Sequence, residues 1–153
     1  MTLRTITQSI LIGADIETVW DVLVSPQAGE TWRIARFKTD WQIGEPFEIE
    51  APIGAKTYRD KGRVLRFERP SLLQYAYWSR IAQRPDAAES WSTITFRLAA
   101  QDGQTVLQLE QQVPPTPDVR GAGWEIGEDS GWRHWDFYWR ASLSALKRVA
   151  EGA

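Results

Sequence analysis

The chain has 153 residues, a length that fits one domain over residues 1–153 with a sizeable core. Its net charge of -2 argues against nucleic acid as the main partner. It contains no cysteine but nine tryptophans, so disulfides, thiol nucleophiles and thiolate metal sites are excluded. The chain shows neither the apolar run of a signal peptide nor a stretch of about 18 consecutive apolar residues, so we expect a cytoplasmic protein without a membrane partner.

The N-terminal part of the chain predicts one strand followed by two short helices. Residues 3–12 alternate threonine and serine with isoleucine, which indicates a strand with one buried face. Residues 15–23 carry apolar side chains at helical spacing, with Asp15 as the predicted N-cap and Pro26 as the end of the helix. A second short helix or turn then holds Trp32.

The middle of the chain predicts sheet. Between Phe37 and Val113 the helical period gives way to strand-like runs separated by glycine, proline and aspartate. The predicted strands are residues 37–41, 46–52, 57–68, 71–80, 91–99 and 104–113. Pro70-Ser71 and Asp102-Gly103 are the clearest hairpin turns. The proline- and glycine-rich residues 114–127 predict an irregular loop.

Residues 130–150 predict one long amphipathic helix. At about 100° per residue, its apolar positions form a single stripe. They are Trp132, Trp135, Trp139, Leu143, Leu146 and Ala150. Lys147 and Arg148 suit the negative end of the helix dipole, and Gly152 ends the helix. The whole pattern predicts an α+β fold in which a curved antiparallel sheet grips this helix.

Several segments, in this order, resemble the START-like helix-grip superfamily, and specifically the bacterial homologues of the activator of the heat-shock-protein-90 ATPase. The resembling segments are residues 12–23, Trp32, 41–44, 62–65, Pro70, 73–75, 92–96, 103–107 and 131–132. The resemblance covers nearly the whole chain and implies a ligand cavity between sheet and helix, because the superfamily includes lipid carriers, polyketide cyclases and hormone receptors. Glu45, where the family often has glycine, and the long proline-rich stretch 111–127 depart from the family pattern.

Few residues suit catalysis. The only histidine, His134, lies about 200° around the helix from Trp132, away from the apolar stripe, so we interpret it as a surface residue. The sequence has no metal-ligand spacing, no phosphate-binding glycine loop and no nucleophile elbow. We therefore assign no metal, no cofactor and no catalytic residue.

The candidate ligand-binding residues are those that we expect to face the concave side of the sheet. They are Trp32, Arg63, Tyr75, Tyr77, Phe96, Trp132, Asp136 and Trp139. Asp136 lies about 40° from Trp132 on the helix projection and needs a partner if buried, for which Arg63 is a candidate because it shares a strand phase with Leu65 and Phe67. The alternative is structural, with the aromatic rings packing in the core and Asp136 forming an ordinary ion pair.

Three functions follow from these residues. The first is binding of a small apolar, aromatic or lipid-like ligand between the sheet and the C-terminal helix. The second is an enzyme of the cyclase or hydrolase kind, with Asp136 as acid or base. The third is a protein-interaction or chaperone-associated module, or a homodimer, for which an exposed patch of Trp78, Trp91 and Phe137 would be the sign.

Overall fold

All the predicted helices and strands are present in the structure, which is a computed structural model. The structure describes residues 4–33, 35–53, 55–78, 87, 90–114 and 130–152. At residues 52, 53, 56, 58, 130–132 and 134 it describes the backbone alone. The elements are β1 (Arg4–Ile12), α1 (Ile16–Val24), α2 (Pro26–Trp32), β2 (Arg36–Lys38), β3 (Pro46–Ile53), β4 (Lys56–Glu68), β5 (Leu72–Trp78), β6 (Ser92–Gln101), β7 (Gln104–Val113) and α3 (Ser130–Ala150). The loop predicted at 114–127 lies outside the described residues, apart from Pro114.

The seven strands form one antiparallel sheet in the order β1-β7-β6-β5-β4-β3-β2. The sheet is curved and unclosed, with β1 and β2 at its two edges. Helix α3 contacts β1, α1 and α2, so it lies in the concavity of the sheet with the two short helices beside it. The predicted α+β helix-grip architecture is confirmed.

Helix α3 buries the predicted stripe from Trp139 to Ala150, and Trp135 is partly buried. Trp139, Leu143 and Leu146 are all at most 2% exposed, because residues spaced by three and four positions share one face of a helix. The helix ends as predicted, since Gly152 adopts a φ of 77°, a left-handed conformation that glycine reaches without a steric penalty.

Both hairpin turns occur where the sequence predicts them. Pro70 and Ser71 join β4 to β5, and Asp102 and Gly103 join β6 to β7. Asp102 and Gly103 have φ values of 51° and 78°. Positive φ at both central residues matches the right-handed twist of the flanking strands, which is why such two-residue turns favour Asp-Gly.

The short helices differ from the prediction at their ends. Pro26 ends α1 as expected but also begins α2, and the hydroxyl of Ser25 caps α2 by accepting a hydrogen bond from the Ala28 N–H at 3.2 Å. Asp15 occupies the N-cap position of α1, but its carboxylate binds the hydroxyl of Thr18 and no backbone N–H of the helix.

Strand β2 is shorter than the predicted run 37–41. It ends at Lys38, and Trp41 adopts a φ of 59°. The indole of Trp41 is only 9% exposed, stacks on Phe67 at 5.9 Å, and donates its N–H to the carbonyl oxygen of Val24 at 2.9 Å. Burial of this large ring stabilises a backbone conformation that strand propensity alone does not predict.

Strand β4 contains a bulge that reverses the predicted phase of its first half. The register shifts between Val64, which pairs with Tyr75, and Arg66, which pairs with Gln74. Leu65 is the extra residue, so even-numbered residues face inward before it and odd-numbered residues after it. The inward prediction holds for Phe67 but is wrong for Arg63, which is exposed.

Candidate ligand-binding site

Four of the candidate residues meet on the concave face of the sheet. Trp32, Tyr75, Phe96 and Trp139 are each at most 2% exposed. The ring of Phe96 is central, with centroid distances of 6.4 Å to Trp32, 6.4 Å to Tyr75 and 5.6 Å to Trp139. We call these four residues the aromatic cluster. The rings of Trp32, Tyr75 and Trp139 thus each lie against Phe96 in the interior of the protein.

Tyr77 lies on the same strand face as Tyr75 but nearer the start of α3. Its ring is 5.4 Å from that of Trp135, and its hydroxyl donates to the Oδ2 of Asp60 at 2.8 Å. Asp60 is only 2% exposed, and the sequence analysis did not select it. The alternation that places Leu65 and Phe67 inward would place Asp60 on the outer face, so nothing in the local sequence indicated its burial; the bulge reverses that phase.

Asp136 and Arg63 do not pair with each other. The carboxylate of Asp136 forms an ion pair with Arg140 at 2.7 Å and accepts a hydrogen bond from the side chain of Gln8 at 3.0 Å, which holds it against the edge strand β1. Arg63 donates to the carbonyl oxygen of Gly44 at 2.7 Å. It lines a cleft of about 640 Å³ together with Lys61 and Trp91.

Two candidate side chains lie outside the described residues. The backbones of Trp132 and His134 belong to α3, but the structure does not describe their side chains, so the predicted ligand contact of Trp132 and the predicted exposure of His134 stay predictions.

The aromatic patch that would indicate an interaction module is not present as one exposed surface. Phe137 on α3 is 74% exposed, but Trp78 on β5 is only 9% exposed and lies 5.5 Å from the ammonium of Lys61. Trp91 is partly buried. The three side chains therefore do not form an exposed apolar surface of the kind that marks a protein contact.

Arg33, which the sequence analysis did not select, lies deep in the interior. It follows the last residue of α2 and is only 4% exposed. Its guanidinium carbon is 4.0 Å from the ring centroid of Trp32 and 3.9 Å from that of Phe37, so the cation lies against two aromatic rings. Nη2 donates to the carbonyl oxygen of Leu23 at 3.0 Å.

The hydrogen bonding of this buried cation is incomplete. Nε of Arg33 has no hydrogen-bond partner, and in the described part of the chain no carboxylate forms an ion pair with the guanidinium. Burial lowers the pKa of Arg33, and the nearby hydroxyls of Tyr75 and Tyr138 act in the opposite direction.

Two tyrosines share this environment. The hydroxyl of Tyr138 donates to the backbone carbonyl of Arg33 at 3.1 Å, which ties α3 to the end of α2. Burial raises the pKa of Tyr75 and of Tyr138, and the charge of Arg33 partly opposes both shifts. Within the described ranges, the hydroxyl of Tyr75 has no hydrogen-bond partner. The position of Tyr138 could have been predicted from the sequence. It lies three residues after Trp135 and therefore on the buried face of α3.

These tyrosines predict that stability decreases at alkaline pH. A tyrosine in the unfolded chain ionises near pH 10, whereas Tyr75 in the folded protein stays protonated at that pH because its pKa is raised. As the pH rises, the unfolded state therefore loses its proton first and becomes more stable relative to the folded state. We expect wild type to lose about 1.4 kcal/mol more than Tyr75→Phe between pH 8 and pH 11, measured by urea unfolding at each pH. Equal pH dependence of the two proteins would show that Tyr75 ionises normally.

The comparisons with known proteins agree with this architecture. Residues 13–151 match the family described as Activator of Hsp90 ATPase homolog 1-like protein. The chain belongs to this family. A comparison with curated proteins found no match.

Solved structures share the fold. A protein from Cytophaga hutchinsonii is 25% identical with a TM-score of 0.74, and the alignment covers 99% of this chain and 97% of that one. CalU16 from Micromonospora echinospora is 19% identical with a TM-score of 0.69, over 98% and 76%. DynU16, a protein of the dynemicin biosynthetic locus, is 14% identical with a TM-score of 0.70, over 96% and 47%. This START-like fold is of a ligand-binding kind.

Among the described residues, no group of three or more histidine, aspartate or glutamate side chains is arranged to hold a metal ion. None of the helices in that part of the chain is both long and apolar enough to span a membrane.

Proposed function

We propose that the chain, as one START-like domain over residues 1–153, binds a small apolar ligand, aromatic or lipid-like, between the curved sheet and α3. The observation that supports this most directly is the ring-lined concave face, which contains a small number of polar groups among aromatic side chains. Ligand pockets are typically lined in this way, with apolar walls for affinity and a few polar atoms for orientation.

The apolar part of the ligand would bind next to the aromatic cluster rather than inside it. The four rings of the cluster are almost fully buried against one another, whereas Tyr77, Trp135 and Tyr138 are only partly buried. Trp135 contacts both tyrosines, at centroid distances of 5.4 and 5.3 Å. We call Tyr77, Trp135 and Tyr138 the entrance residues, and we propose that a ring or acyl chain packs on their accessible faces.

The enzyme hypothesis gains no support from Asp136. A general acid or base needs a carboxyl group that is free to exchange a proton with a substrate, but the two oxygens of Asp136 are engaged by Arg140 and Gln8. The structural alternative for this residue is therefore favoured. A binding function requires no such group.

A ligand panel tests the proposal. DynU16 belongs to a biosynthetic locus, so the panel contains polyketide-like and flavonoid-like compounds as well as fatty acids. We expect at least one class to quench or shift the tryptophan fluorescence and to raise the melting temperature, with a stabilisation of about 2.7 kcal/mol when free ligand is 100 times its dissociation constant.

A matched pair of variants locates the site. Trp135→Ala should weaken binding because it removes an entrance ring, whereas Phe137→Ala, two positions along the same helix and 74% exposed, should leave the affinity unchanged. If no compound shifts the melting temperature or the fluorescence, the proposed function is wrong. If both variants bind as wild type does, the ligand binds elsewhere.

A further inference from the structure

The interior of the protein contains a cation whose hydrogen-bonding groups are not all used. Arg33 is 4% exposed, its Nε–H has no acceptor, and its Nη2 is bound to a neutral carbonyl group. Buried arginines are normally paired with a carboxylate, because transfer of a charge out of water costs several kcal/mol unless an opposite charge and hydrogen bonds compensate for it.

The protein compensates for this charge only in part. The rings of Trp32 and Phe37 lie within 4.0 Å of the guanidinium carbon, and each contributes a favourable cation–π interaction. These rings offset part of the cost of burying the charge. The Nε–H nevertheless has no hydrogen-bond acceptor in the described part of the chain.

A second unused donor lies close by. The hydroxyl of Tyr75 has no hydrogen-bond partner in the described part of the chain, although the residue is only 1% exposed. Tyr75 and Arg33 both contact Phe37, whose ring centroid lies 5.5 Å from that of Tyr75 and 3.9 Å from the guanidinium carbon of Arg33. The buried cation of Arg33 thus lacks an acceptor at Nε and an opposite charge, and the neutral hydroxyl of Tyr75 lacks an acceptor in the described part of the chain.

A carboxylate supplies what these donors lack in one group, since it has two acceptor oxygens and one negative charge. Arg33 adjoins the entrance residues, because the hydroxyl of Tyr138 donates to its backbone carbonyl at 3.1 Å. A ligand whose apolar part packs on the entrance residues can place a terminal group beside this arginine.

We propose that the ligand is an organic acid, and that Arg33 Nε and the Tyr75 hydroxyl bind its carboxylate while the entrance residues bind its apolar part. This inference rests on the proposed function and specifies the chemical class of the ligand. Arg33 then acts as the residue that selects acids over neutral compounds of the same shape.

The test compares an aromatic acid with its amide. Both 2-naphthoate and 2-naphthamide present the same ring system, but only the first carries a charge. By isothermal titration calorimetry, we expect wild type to bind the acid at least about tenfold more tightly, which corresponds to about 1.4 kcal/mol. Arg33→Met should abolish this preference and keep the affinity for the amide within about twofold, whereas Arg33→Lys, which keeps the charge but has no Nε–H, should retain part of it.

The control variant is Arg66→Met, which removes an exposed arginine on β4 whose ion pair within the described residues is with Glu68. It should bind both probes as wild type does, so that a change seen with Arg33→Met is not attributable to the loss of one positive charge from the whole protein. Circular dichroism checks that each variant is folded.

A second measurement needs no variant at Arg33. In a 15N-labelled wild-type sample, the side-chain Nε–H resonance of Arg33 should move when 2-naphthoate is added and stay in place with 2-naphthamide, and this measurement decides if Arg33→Met does not fold. Equal affinity for the two probes, or a preference that survives in Arg33→Met, overturns the acid proposal and leaves the apolar site standing. Absence of binding by either probe overturns the acid proposal too, and together with a negative ligand panel it contradicts the proposed function.

Discussion

Replacement of Trp139 by alanine should lower the free energy of unfolding by about 3–5 kcal/mol. The indole is 2% exposed and packs edge-on against Phe96 at 5.6 Å and Tyr138 at 5.0 Å. Because this ring lies between α3 and the sheet, its loss leaves a cavity beside Phe96 that the surrounding strands cannot close.

A buried hydrogen bond adds to this loss. The indole N–H of Trp139 donates to the Oε1 of Gln111 at 2.6 Å, and Gln111 is completely buried. The Nε2 of the same amide already has no partner. In Trp139→Ala the amide of Gln111 would therefore have neither of its polar atoms satisfied, which costs about 1–3 kcal/mol for the newly unpaired acceptor if water does not reach it.

Chemical denaturation measures the effect against a control on the same helix. Phe137→Ala removes an aromatic ring that is 74% exposed, and we expect it to change the unfolding free energy by at most about 0.5 kcal/mol. A loss below about 1 kcal/mol in Trp139→Ala would be typical of a surface change and would show that α3 does not present this residue to the sheet.

The elements that the sequence predicted well are those whose signal is local. Helix α3 follows from a 3.6-residue apolar period between residues 130 and 150, and its end follows from Gly152, whose φ of 77° is a property of one residue. The Asp102-Gly103 turn is equally local. None of these features depends on which other element packs against it.

The features that the sequence analysis missed depend on a partner distant in the chain. The bulge at Leu65 is defined by the register of β4 against β5, and a period of two along one strand cannot reveal it. For the same reason Arg63 was assigned to the wrong face. Asp136 is bound by Gln8, which is 128 residues away, and nothing near Asp136 in the sequence indicates that partner.

The candidate site shows the same division. Tyr75 and Phe96 were predicted to face inward because each shares a strand phase with apolar neighbours. Arg33 was not, because a charged residue after a short helix is usually solvated. Two rings contact its guanidinium, Trp32 beside it in the chain and Phe37 on the next strand, and only the folded structure brings both rings to this group.

The close packing of Gly62 against Phe47 predicts a second large loss of stability. The two residues are direct neighbours across β3 and β4, and the ring of Phe47 covers the glycine. A methyl carbon added at Gly62 would lie 2.5 Å from Cε2 of that ring and closer still to Cζ, well inside van der Waals contact. The ring cannot move away freely, because it packs against Phe37 at 5.4 Å and Tyr75 at 5.9 Å.

We therefore expect Gly62→Ala to destabilise the protein by about 1–3 kcal/mol, as overpacking of a filled core does. Gly62 is not among the described glycines with positive φ, so the loss would come from the ring contact and not from backbone strain. A double-mutant cycle with Phe47→Leu separates the ring contact from backbone strain, because a smaller, flexible side chain at position 47 leaves room for the methyl group. In the Phe47→Leu background, Gly62→Ala should cost at least about 0.5 kcal/mol less than in wild type. If the cost is the same in both backgrounds, the ring of Phe47 does not cover Gly62, and the packing of the aromatic side chains at this edge of the sheet differs from the structure described above.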